Sequence, residues 1–331
     1  MKIFMALPIG LVRNTFYTER SIAACEAVGE VVWNPYDRQL TEDELIELAQ
    51  DCDVVMTGWG TPKMNAETVK RMPKLKMIAH TAGSVAYLLN PDIYDCGIKV
   101  IGANDVFARS VAEATLAYTF CGLRQIELMS DIVRAGGWKD ETLANRGLFY
   151  KKVGIVGFGA IARHFLELIR WFKCDVRIYS SYLSEEEAAK YGGRLASLDE
   201  IFSECDVVSI HSSMTPKNAG LVTRELLSKL RRDSLLINTA RGGVIDEPAM
   251  FEMLMEGRFR AVLDVYAEEP PRVDNPIRQC KNVLLMPHVG GPTIDMREVC
   301  ILELCEDLAR YQKGEAMLLE IPKEQAMRMT R

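Results

Sequence analysis

A chain of 331 residues exceeds the usual span of a single domain, so two domains are expected, and its 48% apolar and 26% charged residues can fill two cores without metal or disulfide staples. The net charge of −6, from 40 basic and 46 acidic residues with no long basic block, excludes a nucleic-acid surface built on clustered Lys and Arg. Nine cysteines, an odd number without a CxxC pair, argue against a secreted disulfide framework and for free thiols in a reducing cytoplasm.

In chain order, the apolar stretch Ile3 to Val12 is interrupted by Pro8 and Gly10 and ended by Arg13. That pattern suits a buried first strand and loop rather than a signal peptide. Further strands are expected at Val31–Trp33, Val54–Gly58, Met77–His80 and Lys99–Gly102, the first running over Ile3–Leu7. Thr41-Glu-Asp-Glu44 opens a helix to Gln50, because a Thr with an acid three residues on forms a capping box. Short apolar strands alternating with helices predict a parallel sheet covered on both faces. A long helix is expected over Arg109 to Arg134, its crowded apolar positions marking it as buried, with Gly136-Gly137 ending it.

A second alternating series follows, with strands at Val153–Val156, Val176–Tyr179, Val207–His211, Leu235–Asn238, Ala261–Val265 and Val283–Met286, then a helix over Thr293 to Lys313. Cys300 and Cys305 fall on that helix without His neighbours, so they are read as packing residues and no metal site is expected. No apolar run approaches the roughly 20 residues that span a bilayer, and the expected location is the cytoplasm. The fold class is α/β, with two doubly wound parallel-sheet domains and a cleft between them.

The most specific local signal is Val153-Gly-Ile-Val-Gly157-Phe158-Gly159-Ala160-Ile161-Ala162, a G-x-G-x-x-A fingerprint between an expected strand and helix. Gly157 permits the tight turn, Gly159 lets the backbone approach a pyrophosphate, and Ala162 packs helix on strand. The helix start then offers unpaired N–H groups to phosphate. The following strand ends at Ser180 rather than at an acid, and no Arg stands just beyond it. A 2′-phosphate is therefore neither repelled nor attracted, so the cofactor is NAD or NADP, with NAD slightly preferred.

Downstream, Leu236-Ile-Asn-Thr-Ala-Arg241-Gly-Gly-Val-Ile-Asp246, Leu263-Asp264-Val-Tyr-Ala-Glu-Glu269-Pro270 and Asn282-Val-Leu-Leu-Met-Pro-His288-Val-Gly-Gly-Pro-Thr293 follow in order. Together with Val111-Ala-Glu113 and Gly137-Trp138, these motifs resemble those of the D-isomer-specific 2-hydroxyacid dehydrogenases over nearly the whole chain. The resemblance implies a Rossmann dinucleotide-binding domain, residues 103–293, inserted in a flavodoxin-like substrate domain, residues 1–102 plus 294–331. It implies hydride transfer between NAD(P)(H) and a small D-2-hydroxy acid or 2-oxo acid, with Arg241 binding substrate and His288 as acid/base assisted by Glu269. The residue chemistry agrees, since Arg offers a rigid, permanently charged fork to a carboxylate and carbonyl. A histidine exchanges a proton near neutral pH, and a carboxylate beside it fixes the tautomer.

By the same resemblance, cofactor contacts fall at Gly157, Phe158, Gly159, Ala160, Ile161, Ser180, His211, Ser212, Thr239, Ala240, Arg241, Asp264, His288 and Gly290. Substrate contacts fall at Ala82, Gly83, Ser84, Arg241 and His288. His211 is otherwise read as structural, His164 and Glu268 as solvated, and His80 either as a substrate contact or as a strand cap. The chain departs from the common family form where Ser84 replaces a Gly, Ala86 an Asp and Tyr150 a Gly, which leaves the identity of the 2-hydroxy acid open. Closure of the domain cleft would exclude water from the hydride path. The long helix implies a homodimer, as is common in the family. The alternative is a dinucleotide-sensing, non-catalytic binding protein like the family's corepressor relatives. A formate dehydrogenase is disfavoured because that branch carries Gln at the position of Glu269.

Overall fold

The computed structural model describes residues 1–140 and 145–330; residues 141–144 and 331 lie outside the described residues. The chain divides into two compact units, one of residues 1–108 with 292–331 and one of residues 109–291.

In chain order the first unit contains β1 (Lys2–Met5), α1 (Leu11–Phe16), α2 (Glu19–Val28), β2 (Glu30–Trp33), α3 (Glu42–Ala49), β3 (Val54–Thr57), α4 (Ala66–Lys70), β4 (Met77–His80) and β5 (Lys99–Gly102). Among the described residues its strands form a five-stranded sheet in the order β2-β1-β3-β4-β5, every pair parallel. This is the flavodoxin-like winding. Val54, Val55 and Met56 on β3 and Met77, Ile78 and Ala79 on β4 are fully buried, the continuous apolar pattern of a strand covered on both faces. The capping box read at Thr41 is present, with the Thr41 hydroxyl accepting from Glu44 N–H and the Glu44 carboxylate accepting from Thr41 N–H.

Next come α5 (Asn104–Arg124) and α6 (Ile126–Arg134). The single helix expected over 109–134 is thus two helices. Helical structure begins five residues earlier, and Gln125, in the left-handed region at φ 52°, breaks the run. Nothing in the apolar spacing marks that break, because a polar residue of good helical propensity occupies it.

The second unit continues with β6 (Lys152–Val156), α7 (Ala160–Ile169), β7 (Asp175–Tyr179), α8 (Glu185–Lys190), β8 (Gly193–Leu195), α9 (Leu198–Glu204), β9 (Val207–Ile210), α10 (Arg224–Ser228), β10 (Leu235–Asn238), α11 (Glu247–Met255), β11 (Arg260–Leu263) and β12 (Val283–Leu285). The chain then returns to the first unit through α12 (Ile294–Gln312) and α13 (Lys323–Ala326). The sheet is seven-stranded among the described residues, ordered β12-β11-β10-β9-β6-β7-β8 and parallel throughout. Counted from β6, this is the Rossmann winding with a further strand at one edge, and its order reverses between β6 and β9. The edge strand β8 escaped the sequence reading because Gly193-Arg-Leu195 is too short and polar to form an apolar run.

The nine cysteines are free thiols. Cys300 and Cys305 are buried on α12 as packing residues, and Cys305 lies against Cys25 of α2 with the sulfurs 3.5 Å apart. Among the described residues there is no cluster of His, Cys, Asp and Glu able to hold a metal, and no helix is long and apolar enough to cross a membrane.

Candidate active site

The reversal point of the second sheet is where a dinucleotide-binding fold places its ligand. Gly157 follows β6 at φ +94°, and a Cβ there would lie 2.6 Å from the Ser212 backbone nitrogen. The loops after β6 and β9 therefore touch through a position only glycine can fill. At Gly159 the same construction meets nothing within 4 Å, so the backbone faces open space. Gly159 is also the N-cap of α7 and supplies no side-chain cap, leaving the first N–H groups of that helix to a ligand. An open glycine cradle at an uncapped helix start fits a pyrophosphate.

Around the cradle, Phe158 is buried, while Ala160 and Ile161 at the start of α7 are half-buried. Ser212 donates to the Val156 carbonyl. His211 is buried, its Nε2 2.9 Å from Ser209 Oγ and its Nδ1 without a partner among the described residues. Burial pushes its pKa down to about 3, so it is a neutral residue of the fold. His164 is partly buried and lies 3.6 Å from Glu167. At the end of β7, Ser180 Oγ accepts from Tyr182 N–H, and the Tyr182 phenol donates to the Phe158 carbonyl, so a tyrosine rather than an acid borders the fingerprint loop.

The loop after β10 carries Thr239, Ala240 and Arg241. Asn238 shapes it, accepting from Ala240 N–H at 3.0 Å and donating to the Arg241 carbonyl at 3.0 Å. The Thr239 hydroxyl lies 3.0 Å from that of Thr115 on α5. Arg241 is mostly buried; burial pulls its pKa down and the neighbouring Glu269 opposes the shift. Its Nη1 donates to the Ala240 carbonyl. The remaining donors of a guanidinium this desolvated suit an anionic ligand.

His288 and Glu269 meet. Nδ1 lies 2.6 Å from Glu269 Oε2, and Glu269 Oε1 accepts from Tyr266 N–H at 3.0 Å. Because a carboxylate only accepts, Nδ1 carries the proton and Nε2 is the nitrogen left for chemistry. His288 itself sits at φ +53°. Behind the loop lies Asp264, fully buried, whose two oxygens accept from Val289 and Gly290 N–H at 2.9 Å each. Tyr118 donates to the same carboxylate at 3.3 Å, and burial, with Asp264 second, raises the pKa of its phenol well above the usual value. A Cβ on Gly290 would lie 2.7 Å from Asp264 Oδ2, so this approach too requires glycine. Asp264 thus has both oxygens engaged by the histidine loop. Glu268 is exposed.

The loop of residues 80–84 belongs to the first unit. His80 is fully buried, with Nδ1 2.9 Å from Thr57 Oγ1 and Nε2 3.3 Å from the Tyr87 phenol, and burial pushes its pKa down to about 3. It therefore belongs to the strand end and not to an exposed substrate surface. Ala82 is buried, Gly83 packs against Phe107, and Ser84 Oγ donates to the Thr330 carbonyl at 2.6 Å. In the same loop the buried Thr81 hydroxyl has no partner among the described residues. Tyr118, legible only as an apolar position of the long helix, and Glu247 carry no motif of their own.

The second unit thus combines a Rossmann sheet with loops that carry Arg241, Glu269 and His288. The family model "D-isomer specific 2-hydroxyacid dehydrogenase, NAD binding domain" matches residues 116–290, just over half of the chain. The chain belongs to the D-isomer specific 2-hydroxyacid dehydrogenase family. It is 31% identical over 299 residues to the D-3-phosphoglycerate dehydrogenase of Methanocaldococcus jannaschii, covering 90% of this chain and 56% of that one. The human D-3-phosphoglycerate dehydrogenase is 28% identical, covering 85% and 52%. The chain thus spans little more than half the length of these relatives. Among solved structures, an acyclic imino acid reductase in complex with NADPH and D-Arg superposes with a TM-score of 0.80 at 23% identity, covering 97% of this chain and 100% of that one. A D-lactate dehydrogenase from Escherichia coli gives 0.72 at 22%, covering 97% and 100%. At these identities the likeness is one of fold.

Proposed function

We propose that this protein reduces a small 2-oxo acid to the D-2-hydroxy acid, and catalyses the reverse oxidation, with NADH or NADPH. The observation that carries this reading is the His288–Glu269 contact at 2.6 Å on the unit that also holds the buried Arg241. The residues of the glycine cradle, Gly157, Gly159 and the start of α7, would hold the dinucleotide, which when bound supplies or accepts the hydride. Arg241 binds the substrate carboxylate and polarises its carbonyl. His288 delivers a proton from Nε2 to the carbonyl oxygen as the carbon is reduced, and Glu269 holds the ring through Nδ1 and stabilises the imidazolium that forms in the oxidative direction. In this scheme residues 109–291 serve the cofactor.

A panel of 2-oxo acids assayed with NADH and NADPH in parallel tests the reading. We expect oxidation of the dinucleotide with at least one acid, and near-complete loss of turnover in His288→Ala. Full activity in that variant would overturn the assignment of the acid. Binding of dinucleotide with no turnover across the panel, together with dinucleotide-dependent capture of a partner protein, would instead favour a sensor. Ser180 supplies no carboxylate to repel a 2′-phosphate. The two cofactors should therefore differ by less than about tenfold in kcat/KM, with NAD(H) the better, which corresponds to under about 1.4 kcal/mol. A homodimer is part of the same proposal. None of the residues of α6 is buried, and Ile126 and Val133 are half exposed, so this helix offers an apolar face to a second copy. A monomeric mass by small-angle scattering would contradict it.

A further inference from the structure

Glu269 is held by a loop that has little structure of its own. Residues 265–270 follow β11 without helix or strand, and 267–270 are exposed, yet the carboxylate must meet the His288 ring within a few tenths of an ångström. Two contacts from the neighbouring Arg241 loop fix it. Gly242 lies so close that a Cβ there would be 2.0 Å from the Tyr266 carbonyl carbon and 2.2 Å from the Ala267 nitrogen. The two backbones are therefore in direct contact. Five residues on, Glu247 at the first turn of α11 reaches across, and its Oε1 accepts from Ala267 N–H at 2.8 Å. The next N–H back along the chain, that of Tyr266, donates to Glu269 Oε1, leaving Oε2 for His288.

We infer that Glu247 is a positioning residue: by gripping Ala267 N–H it sets the 266–269 loop, and through it the side of the Glu269 carboxylate that faces His288. Arg241, Glu269 and Glu247 then form one assembly in which the loop that binds substrate also aligns the proton donor. This rests on reading His288 and Glu269 as the acid/base pair. Glu247 is half-buried with Glu269 as a like-charged neighbour; burial raises its pKa, the Ala267 N–H opposes the shift by favouring the ionised form, and Glu269 adds a smaller upward push. Charge and hydrogen bond are thus separable contributions, and the amide of Gln keeps an oxygen acceptor while removing the charge.

The test compares Glu247→Ala with Glu247→Gln in the full chain, using the best 2-oxo acid and dinucleotide from the panel. The expected result is a kcat lowered by roughly 10- to 100-fold in the alanine variant, the scale on which misplacement of a reacting group acts, with KM for the dinucleotide and the melting temperature little changed. The glutamine variant should recover most of kcat. A second readout needs no turnover: the Nδ1–H tautomer that Glu269 selects gives a distinct nitrogen resonance pattern of the His288 ring in the free protein, read through carbon-bound protons that do not exchange with water. It should be absent in Glu269→Gln and in Glu247→Ala and present in Glu247→Gln. Unchanged kcat and resonance in the alanine variant would overturn the inference, as would a glutamine variant as impaired as alanine. If wild type reduces no 2-oxo acid, the functional reading fails, and the resonance still decides whether Glu247 positions Glu269.

Discussion

Replacing Asp264 with Asn removes one of the two charge-assisted acceptors behind the histidine loop and tests whether that loop is held by a single buried carboxylate. In the native protein Asp264 accepts from Val289 N–H, Gly290 N–H and the Tyr118 phenol, all within 3.3 Å, and is 2% exposed. The asparagine amide keeps one oxygen but turns an NH2 group toward a donor. Hydrogen bonds to a charged group are worth about 1.5–3 kcal/mol each, and an unpaired buried donor costs about 1–3 kcal/mol. Destabilisation of about 2–4 kcal/mol is therefore expected for Asp264→Asn, and about 3–5 kcal/mol for Asp264→Ala, which leaves every donor unpaired. His288 amplifies the effect on activity, because a left-handed non-glycine residue costs about 1–2 kcal/mol and keeps φ +53° only while the loop is pinned. Urea unfolding of the two variants gives the stability, and steady-state kinetics should show kcat falling by at least about tenfold, with dinucleotide affinity less affected. An asparagine variant of native stability and native kcat would refute the claim that the carboxylate holds the loop.

Gly157→Ala should weaken NADH binding severely in a fluorescence titration. The new methyl group would lie 2.6 Å from the Ser212 backbone at a φ of +94°, so retained micromolar affinity would count against the cradle. Arg241→Lys keeps the charge but loses the fork. It should lower kcat/KM by about 100-fold, roughly two charge-assisted bonds at about 1.4 kcal/mol each, while leaving dinucleotide affinity nearly intact. His80 and His211 are buried neutral, with pKa values depressed by burial to about 3. Below the unfolded value of about 6.5 the unfolded chain binds protons that the folded one refuses, so stability is full above about pH 7 and falls by up to about 1.4 kcal/mol per pH unit for each group, until the folded pKa is reached. The melting temperature should therefore drop steadily from pH 6.5 toward 4, and a Tm independent of pH over that range would contradict the burial of both rings.

The winding of the two sheets was legible because buried parallel strands are written as runs such as Val54-Val-Met56 and Leu235-Leu-Ile237, each with turn residues beyond it. The fingerprint was legible for a related reason: Gly157 answers a backbone demand that no other residue meets. Where a conformation is imposed from outside, the sequence carries no such mark. Gln125 and Tyr150 take φ 52° and 61° without being glycine, and neither the break in the long helix nor the turn before β6 shows in their side chains. Tyr150 makes the point sharply, since it stands where the family commonly has Gly and yet adopts the conformation glycine would take, its N–H donating to the Phe172 carbonyl.

The same distinction divides the candidate site. Arg241, Glu269 and His288 could be named from motifs because their chemistry is specific, but what aligns them could not. Glu247 and the carboxylate of Asp264 act through backbone N–H groups that every sequence possesses, so nothing in the local pattern tells a helix-start glutamate that grips Ala267 from one that faces water. Asp264 shows how much position alone leaves unsaid. Its place in the motif assigns it to the cofactor side, and the structure adds a second role, since its oxygens also accept from Val289 and Gly290 N–H. Through those two bonds it acts on the loop that carries His288, which is why stability and kcat should fall together when it is changed.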